Sequence, residues 1–368
     1  METNILEYIK WRGDLSPSVS EYNEIDILIF SRLAYLDFSR SLKNNKEEVS
    51  LREAYDRYLK IKREERLLLW PQDEELFPLV AMANRYKDIK LTYYVNSIEK
   101  DIEKQFSVIT LILPNKRLFI SYRGTDNTLV GWKEDFNLSF MSDIPAQIES
   151  VKYLNEVSKR YPDYIIETGG HSKGGNLAIY AASFCEKEVQ EKIIGVYNYD
   201  GPGFDKEMTE RKGYKEVLSR IATFIPQSSI VGRLLIHEEK YKVVESIQKG
   251  ILQHDIYSWQ IAKPNHFIYL DEIKEDSEFV DKTLKEWLND LSREDREKFV
   301  DTIFDILMKT NANTLEEFSG NWMKNVKTIF ETYKDLDAES KEHINKALNT
   351  LWKSTKNNLV NGRKKHQA

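Results

Sequence analysis

Ser172 sits at the centre of Gly170-His171-Ser172-Lys173-Gly174, a G-x-S-x-G. A serine hydroxyl attacks a carbonyl only when a base removes its proton and hydrogen-bond donors hold the oxyanion that forms. This motif suits that chemistry when a strand precedes it and a helix follows. The sharp turn strains the serine backbone and lifts the hydroxyl above the strand ends. Small residues at Gly170 and Gly174 let neighbouring backbone come close. Here "YIIET" reads as the strand and "NLAIYAA" as the helix. The helix N-terminus beneath the serine favours developing negative charge. Ser172 is the candidate nucleophile; the alternative is a purely structural Gly-Ser turn.

The base must come from six histidines. His171 lies inside the turn itself. His343 and His366 fall in a helical tail, His237 precedes the last clear strand, and His266 sits in "NHFIYL", a further strand. His254, in "QKGILQHDIYSWQ", follows the strand-like run 241–248. A histidine after the last strand is the chain order that a serine nucleophile of this type needs, so His254 is the candidate base. Asp200 is the candidate acid, because it ends the strand "VYNYD" directly before Gly201-Pro202-Gly203. Asp205, Asp255, an uncharged orienter at Ser228 or Ser229, and a dyad with no acid stay open as alternatives. For the oxyanion, Lys173 offers the main-chain N–H after the nucleophile. Thr125, in "SYRGTD", offers a second N–H and a hydroxyl. The Lys173 side chain is expected to project into solvent or pair with a carboxylate rather than bind substrate.

These residues need a frame. Residues 24–39 read as a buried helix and 47–66 as an exposed one. "FSVITLIL" (106–113) and "RLFISYRG" (117–124) are apolar runs joined by Pro114-Asn115-Lys116, a hairpin signal. Helix-patterned 148–160, strand 163–170, helix 175–190, strand 193–201, helical 206–219 and strands 220–227 and 241–248 then follow. This alternation predicts an α/β fold, a mostly parallel sheet with helices on both faces. After about residue 275 only helical patterns remain, and Ser292 with Asp295 could cap one helix start. The expected division is residues 1–275 as the α/β domain and 276–368 as a helical C-terminal extension. No internal repeat is visible.

Composition bounds the chemistry. The chain has 368 residues and a formal net charge of −6, which gives no general pull toward nucleic acid. The stretch Lys353 to Lys365 is locally basic and reads as a solvated helix end. A single cysteine, Cys185, makes an internal disulfide impossible and reads as a packing residue. No metal constellation, nucleotide-binding loop or other cofactor site is expected. The first residues carry no leader pattern, and no apolar run is long enough to span a membrane, so a cytoplasmic location is the expectation.

Taken together, "FISYRGTDNTLVGWKEDF" and "GGHSKGGNLAIYAA" resemble the class 3 lipase branch of the α/β-hydrolases. In that branch an apolar strand runs into R-G-T and W-x-x-D, followed by G-H-S-x-G-G-x-L-A. The matching residues are Arg123, Gly124, Thr125, Trp132, Asp135 and Phe136, then Gly170 to Gly175, Leu177 and Ala178. The chain is also similar to a family of bacterial lipase-like proteins marked by the S-K-G-G-N elbow, "NYDGPGF", "IPQSSIVG" and "QHDIYSW". The resemblance spans about 105–260. It implies an α/β-hydrolase fold, Ser172 as nucleophile, His254 as base and Thr125 as side-chain oxyanion donor. The expected activity is hydrolysis of an ester or thioester of a small-molecule or lipid acyl substrate. A catalytically silent binding protein and an acyltransferase are the alternatives. The acid of the lipase pattern falls where this chain has Gln227-Ser228-Ser229, so the resemblance leaves the acid unassigned.

Overall fold

The computed structural model describes residues 3–44, 46–62, 65–66, 69–126, 128–138, 141, 143–271, 282–283, 286–287, 290–310 and 322–365. The chain divides into two compact units. The first comprises Met1–Ser97, Phe106–Gly124 and Ala146–Ile273; the second comprises Ile98–Gln105, Thr125–Pro145 and Lys274–Ala368.

The first unit is built on one sheet. Helices α1 (Ile5–Arg12) and α2 (Glu24–Leu33) precede strand β1 (Val49–Ser50) and helices α3 (Leu51–Tyr58) and α4 (Asp73–Met82). Strands β2 (Lys90–Glu99), β3 (Lys104–Leu113) and β4 (Arg117–Tyr122) follow. After α5 (Leu129–Asn137), which belongs to the second unit, come α6 (Pro145–Arg160), β5 (Ile165–His171), α7 (Lys173–Phe184), α8 (Lys187–Lys192) and β6 (Ile193–Tyr199). The unit closes with α9 (Lys206–Glu210), α10 (Lys212–Val217), β7 (Ile221–Pro226), β8 (Tyr241–Val244) and the short strands β9 (Ile261–Ala262), β10 (His266–Phe267) and β11 (Tyr269–Leu270).

The sheet has nine strands in the order β1-β2-β3-β4-β5-β6-β7-β8-β11, and β9 with β10 forms a separate pair. Strands β4 to β8 run parallel through its centre, while β3 pairs with β4, and β11 with β8, antiparallel. The hairpin expected at 114–116 joins β3 to β4, and Asn115 and Lys116 take positive φ in the turn. Adjacent residues of β4 show that helices cover both faces. The Ser121 hydroxyl donates to the Phe30 carbonyl of α2 at 2.9 Å. The Tyr122 hydroxyl donates to the Ser150 carbonyl of α6 at 2.9 Å. Successive strand residues point to opposite faces, so α2 and α6 lie on opposite sides. This is the expected α/β arrangement, a mostly parallel sheet with helices on both faces.

Some elements differ from expectation. The exposed helix expected over 47–66 is a two-residue edge strand followed by α3, which buries Leu51, Ala54 and Tyr58. The helix expected over 175–190 breaks at Cys185, whose extended backbone separates α7 from α8. Strand β2 has no counterpart in the sequence reading.

Within the second unit, α11 (Arg293–Met308), α12 (Trp322–Asp335) and α13 (Ala338–Lys365) are the long helices described after residue 275. Residues 282–283, 286–287 and 290 are also helical, while 284–285, 288–289 and 311–321 lie outside the described residues. Ser292 and Asp295 form a reciprocal capping box at the start of α11. Asp295 also meets His343 at 3.1 Å and Lys346 at 2.5 Å on α13. Helix α5 packs on α11, with the Phe136 and Phe304 rings 5.7 Å apart.

Candidate active site

Strand β5 ends at His171 and α7 begins at Lys173, leaving Ser172 alone in the turn. Its backbone is at φ 60°, ψ −136°, a conformation L-residues rarely hold. Such strain persists only where the surroundings impose it. The first constraint is close approach: a Cβ on Gly174 would lie 2.1 Å from the Tyr122 carbonyl oxygen, so α7 can pass the end of β4 only with glycine there. A second is the Ser172 N–H, which donates to the Tyr199 carbonyl at the end of β6, 2.9 Å away. The serine is half-buried.

That bond brings the turn beside the next residue along β6, Asp200. Asp200 also has positive φ, 53°, and its N–H donates to the Phe224 carbonyl of β7 at 2.8 Å. Its carboxylate is turned toward His254: Oδ2 lies 2.7 Å from His254 Nδ1. A carboxylate only accepts, so Nδ1–H is the donor, and in the neutral ring Nε2 carries the lone pair of a base. The other oxygen, Oδ1, accepts from the Ser229 hydroxyl at 2.5 Å and the Gly232 N–H at 3.2 Å. A Cβ on Gly232 would lie 2.3 Å from Oδ1, so only glycine lets that N–H approach. The Asp200 side chain is 1% exposed and that of His254 is 23% exposed. The acid is sealed while the imidazole keeps an open edge.

Ser229, the alternative uncharged orienter, thus donates to Asp200. The rest of "IPQSS" and "QHD" forms the frame. Gln253 Oε1 accepts from the Ser228 N–H at 2.7 Å, and Gln253 Nε2 donates to the Gln248 carbonyl at 2.8 Å. Gln227 brackets Ser246 through two bonds of 2.7 Å. These amides tie the loop carrying His254 to the loop that follows β7. The other candidate acids are engaged elsewhere: Asp255 accepts from the Tyr257 N–H at 3.0 Å, and Asp205 caps α9 through the Met208 N–H at 2.7 Å.

Of the remaining histidines, His171 lies against this pair. His237 pairs with Glu239, His343 pairs with Asp295, His266 is exposed on β10, and His366 lies outside the described residues. The His171 and His254 rings are in contact, tilted by 35° with centroids 4.5 Å apart. Neither His171 nor Tyr35 beside it was singled out from sequence. Lys173, expected either in solvent or paired with a carboxylate, is 1% exposed and so not in solvent; the residues of α7 from Lys173 to Ser183 are all buried. Cys185 is half-buried and burial pushes its thiol up to about 12, which suits packing rather than nucleophilic attack. Thr125 belongs to the second unit, where its hydroxyl donates to Asp135. Among the described residues no group of acidic, histidine or cysteine side chains could hold a metal, and no helix is long and apolar enough to cross a membrane.

A family model described as Mbeg1-like matches residues 80–305. The chain belongs to the Mbeg1-like family. No curated protein matches it. Among solved structures, this Mbeg1-like chain is similar to lipase II from Rhizopus niveus, at 16% identity and a TM-score of 0.35, over 52% of this chain and 75% of that one. It is similar to the lipase of Rhizopus microsporus var. chinensis at 14% identity and a TM-score of 0.35, over 55% and 72% of the two chains. The Rhizomucor miehei lipase propeptide complex gives 15% identity and a TM-score of 0.32 over 49% of this chain, which spans 62% of that one.

Proposed function

We propose that this Mbeg1-like protein is a serine hydrolase of an ester or thioester acyl substrate, working through an acyl-enzyme on Ser172. The observation that carries the reading is the sealed Asp200 carboxylate held 2.7 Å from His254 Nδ1, beside a serine strained at φ 60°. A catalytically silent protein was suggested by the lack of an acid in the lipase position. The Asp200 carboxylate against His254 supports the hydrolase reading instead.

In the proposed reaction His254 Nε2 takes the Ser172 Oγ proton as Oγ bonds to the substrate carbonyl carbon. Asp200 stabilises the imidazolium without taking its proton. The carbonyl oxygen becomes an oxyanion held by the Lys173 N–H, at the start of α7. Thr125 is proposed as the second donor on its place in the R-G-T motif alone. Collapse breaks the bond to the leaving group, which receives the proton from His254. Water then adds to the acyl-enzyme by the same base catalysis, releasing the acid and free Ser172. A small-molecule or lipid acyl group is the proposed substrate class.

The test is intact-mass spectrometry during turnover of a short p-nitrophenyl ester. The expected result is one acyl adduct per chain on the Ser172 peptide, lost in Ser172→Ala. Turnover by Ser172→Ala at the wild-type rate would overturn the proposal.

A further inference from the structure

We infer that Tyr35 and His171 are positioning residues for the reaction, because one chain of hydrogen bonds runs from Gly124 through both side chains to the His254 backbone. The inference rests on the hydrolase reading for what is positioned, and on geometry alone for the chain itself.

The direction of the two end bonds is fixed. His171 Nε2 lies 2.8 Å from the His254 carbonyl oxygen. A carbonyl can only accept, so Nε2 carries the proton. In a neutral ring Nδ1 is then an acceptor, and the Tyr35 hydroxyl lies 3.2 Å from it. The same hydroxyl lies 3.2 Å from the His171 carbonyl oxygen and accepts the Gly124 N–H at 3.1 Å. The single hydroxyl proton is shared between Nδ1 and that carbonyl, so Tyr35 links the loop residue before Thr125 to His171, through its ring and its backbone.

The surroundings keep this arrangement in one state. Tyr35 and His171 are both buried. The Arg32 guanidinium lies 4.2 Å over the Tyr35 ring and is held by two 2.7 Å bonds to Asp73. Burial first, then the His254 ring and the Arg32 charge, keep His171 well below its usual 6.5, hence neutral. A neutral ring can lie against His254 when the reaction makes that partner an imidazolium; a second cation there would oppose it. Asp200 fixes the His254 ring through Nδ1, and His171 fixes the same residue through its carbonyl. Two independent anchors restrict where Nε2 can point, which is what near-attack geometry demands.

The experiment compares Tyr35→Phe, His171→Leu and His171→Gln in the full chain, by steady-state kinetics and by ¹⁵N-histidine NMR. Tyr35→Phe removes the hydroxyl that joins Gly124 to His171 and should lower kcat about 10-fold with KM changed less than about twofold. His171→Leu frees the loop and should lower kcat about 100-fold, as a misplacement of about 1 Å does. His171→Gln keeps an N–H donor for the His254 carbonyl and should recover at least about 10-fold of that loss. Loss of less than about twofold in both Tyr35→Phe and His171→Leu, or no recovery in His171→Gln, would overturn the inference. The NMR arm stands apart from turnover. It should show His171 as the Nε2–H tautomer at neutral pH, with Tyr35→Phe shifting the His171 and His254 ring signals. A protonated Nδ1, or unshifted rings, would overturn the chain of bonds. A wild type that neither turns over nor labels would instead overturn the hydrolase reading while this arm still decides the geometry.

Discussion

The first unit holds two histidine–carboxylate pairs that look alike on paper. His254 meets Asp200 at 2.7 Å, and His237 meets Glu239 at 2.9 Å. Their environments separate them. His237 and Glu239 are 7% and 2% exposed, and His237 Nε2 is buried with no hydrogen-bond partner. Glu239 also accepts from the Thr223 and Tyr214 hydroxyls, at 2.7 and 3.0 Å, which knits β7 to α10. In the other pair the carboxylate is just as sealed, but the imidazole keeps an exposed edge beside a strained serine. In the proposed reaction, a histidine and a buried carboxylate are therefore not enough to make a base. The free ring nitrogen must open toward something that can react.

That contrast can be broken by substitution. The largest expected effect is Asp200→Asn, which leaves His254 without its orienting charge and should lower kcat about 10⁴-fold. The matched change Glu239→Gln should leave kcat within about threefold and instead lower stability by about 1–3 kcal/mol, since a buried hydrogen-bonded carboxylate is lost. Equal kinetic effects from the two would erase the distinction. Ser229→Ala removes one of three donors to Asp200 and should lower kcat about 10-fold, read in the same ester assay.

The smallest effect is in pH. Burial opposes ionisation of Glu239, but the His237 hydrogen bond and charge, with Thr223, bring it down to about 2. A depressed carboxylate stabilises the fold above its unfolded value, about 4.3, and loses that contribution as pH falls through the folded value. Urea unfolding should thus show a loss of stability between about pH 4.5 and 2 that is smaller in Glu239→Gln than in wild type. A Glu239→Gln profile that falls as steeply as wild type would contradict the structural role given to this pair.

How legible was this in the sequence? The strands β3 to β8 announce themselves through β-branched, apolar runs broken by turns, so the parallel centre of the sheet was readable. The elbow was readable too, because a strand, G-x-S-x-G and a helix follow one another along the chain. Asp200 stood out only by its place at a strand end, and nothing local distinguished it from Asp205 or Asp255. What separates them is the fold: Asp255 closes a local turn and Asp205 caps a helix, and both are short-range bonds that mimic a reactive position in sequence. Strand β2 was missed because its second half is polar and exposed, which blurs the period-two pattern. Tyr35 was invisible for another reason. It lies 136 residues from His171, in a helix-like stretch whose apolar spacing reads as core. The exposed helix expected over 47–66 failed because charge density hid three core positions.

The central claim is that Ser172 is a nucleophile activated by the His254–Asp200 pair. Covalent labelling by a fluorophosphonate probe tests it most directly, since the probe reacts with an activated serine and needs no knowledge of the natural substrate. The account predicts one label per chain on the Ser172 peptide, none in Ser172→Ala, and much slower labelling in Asp200→Asn. No label on the native chain, or an undiminished label in Ser172→Ala, would contradict it.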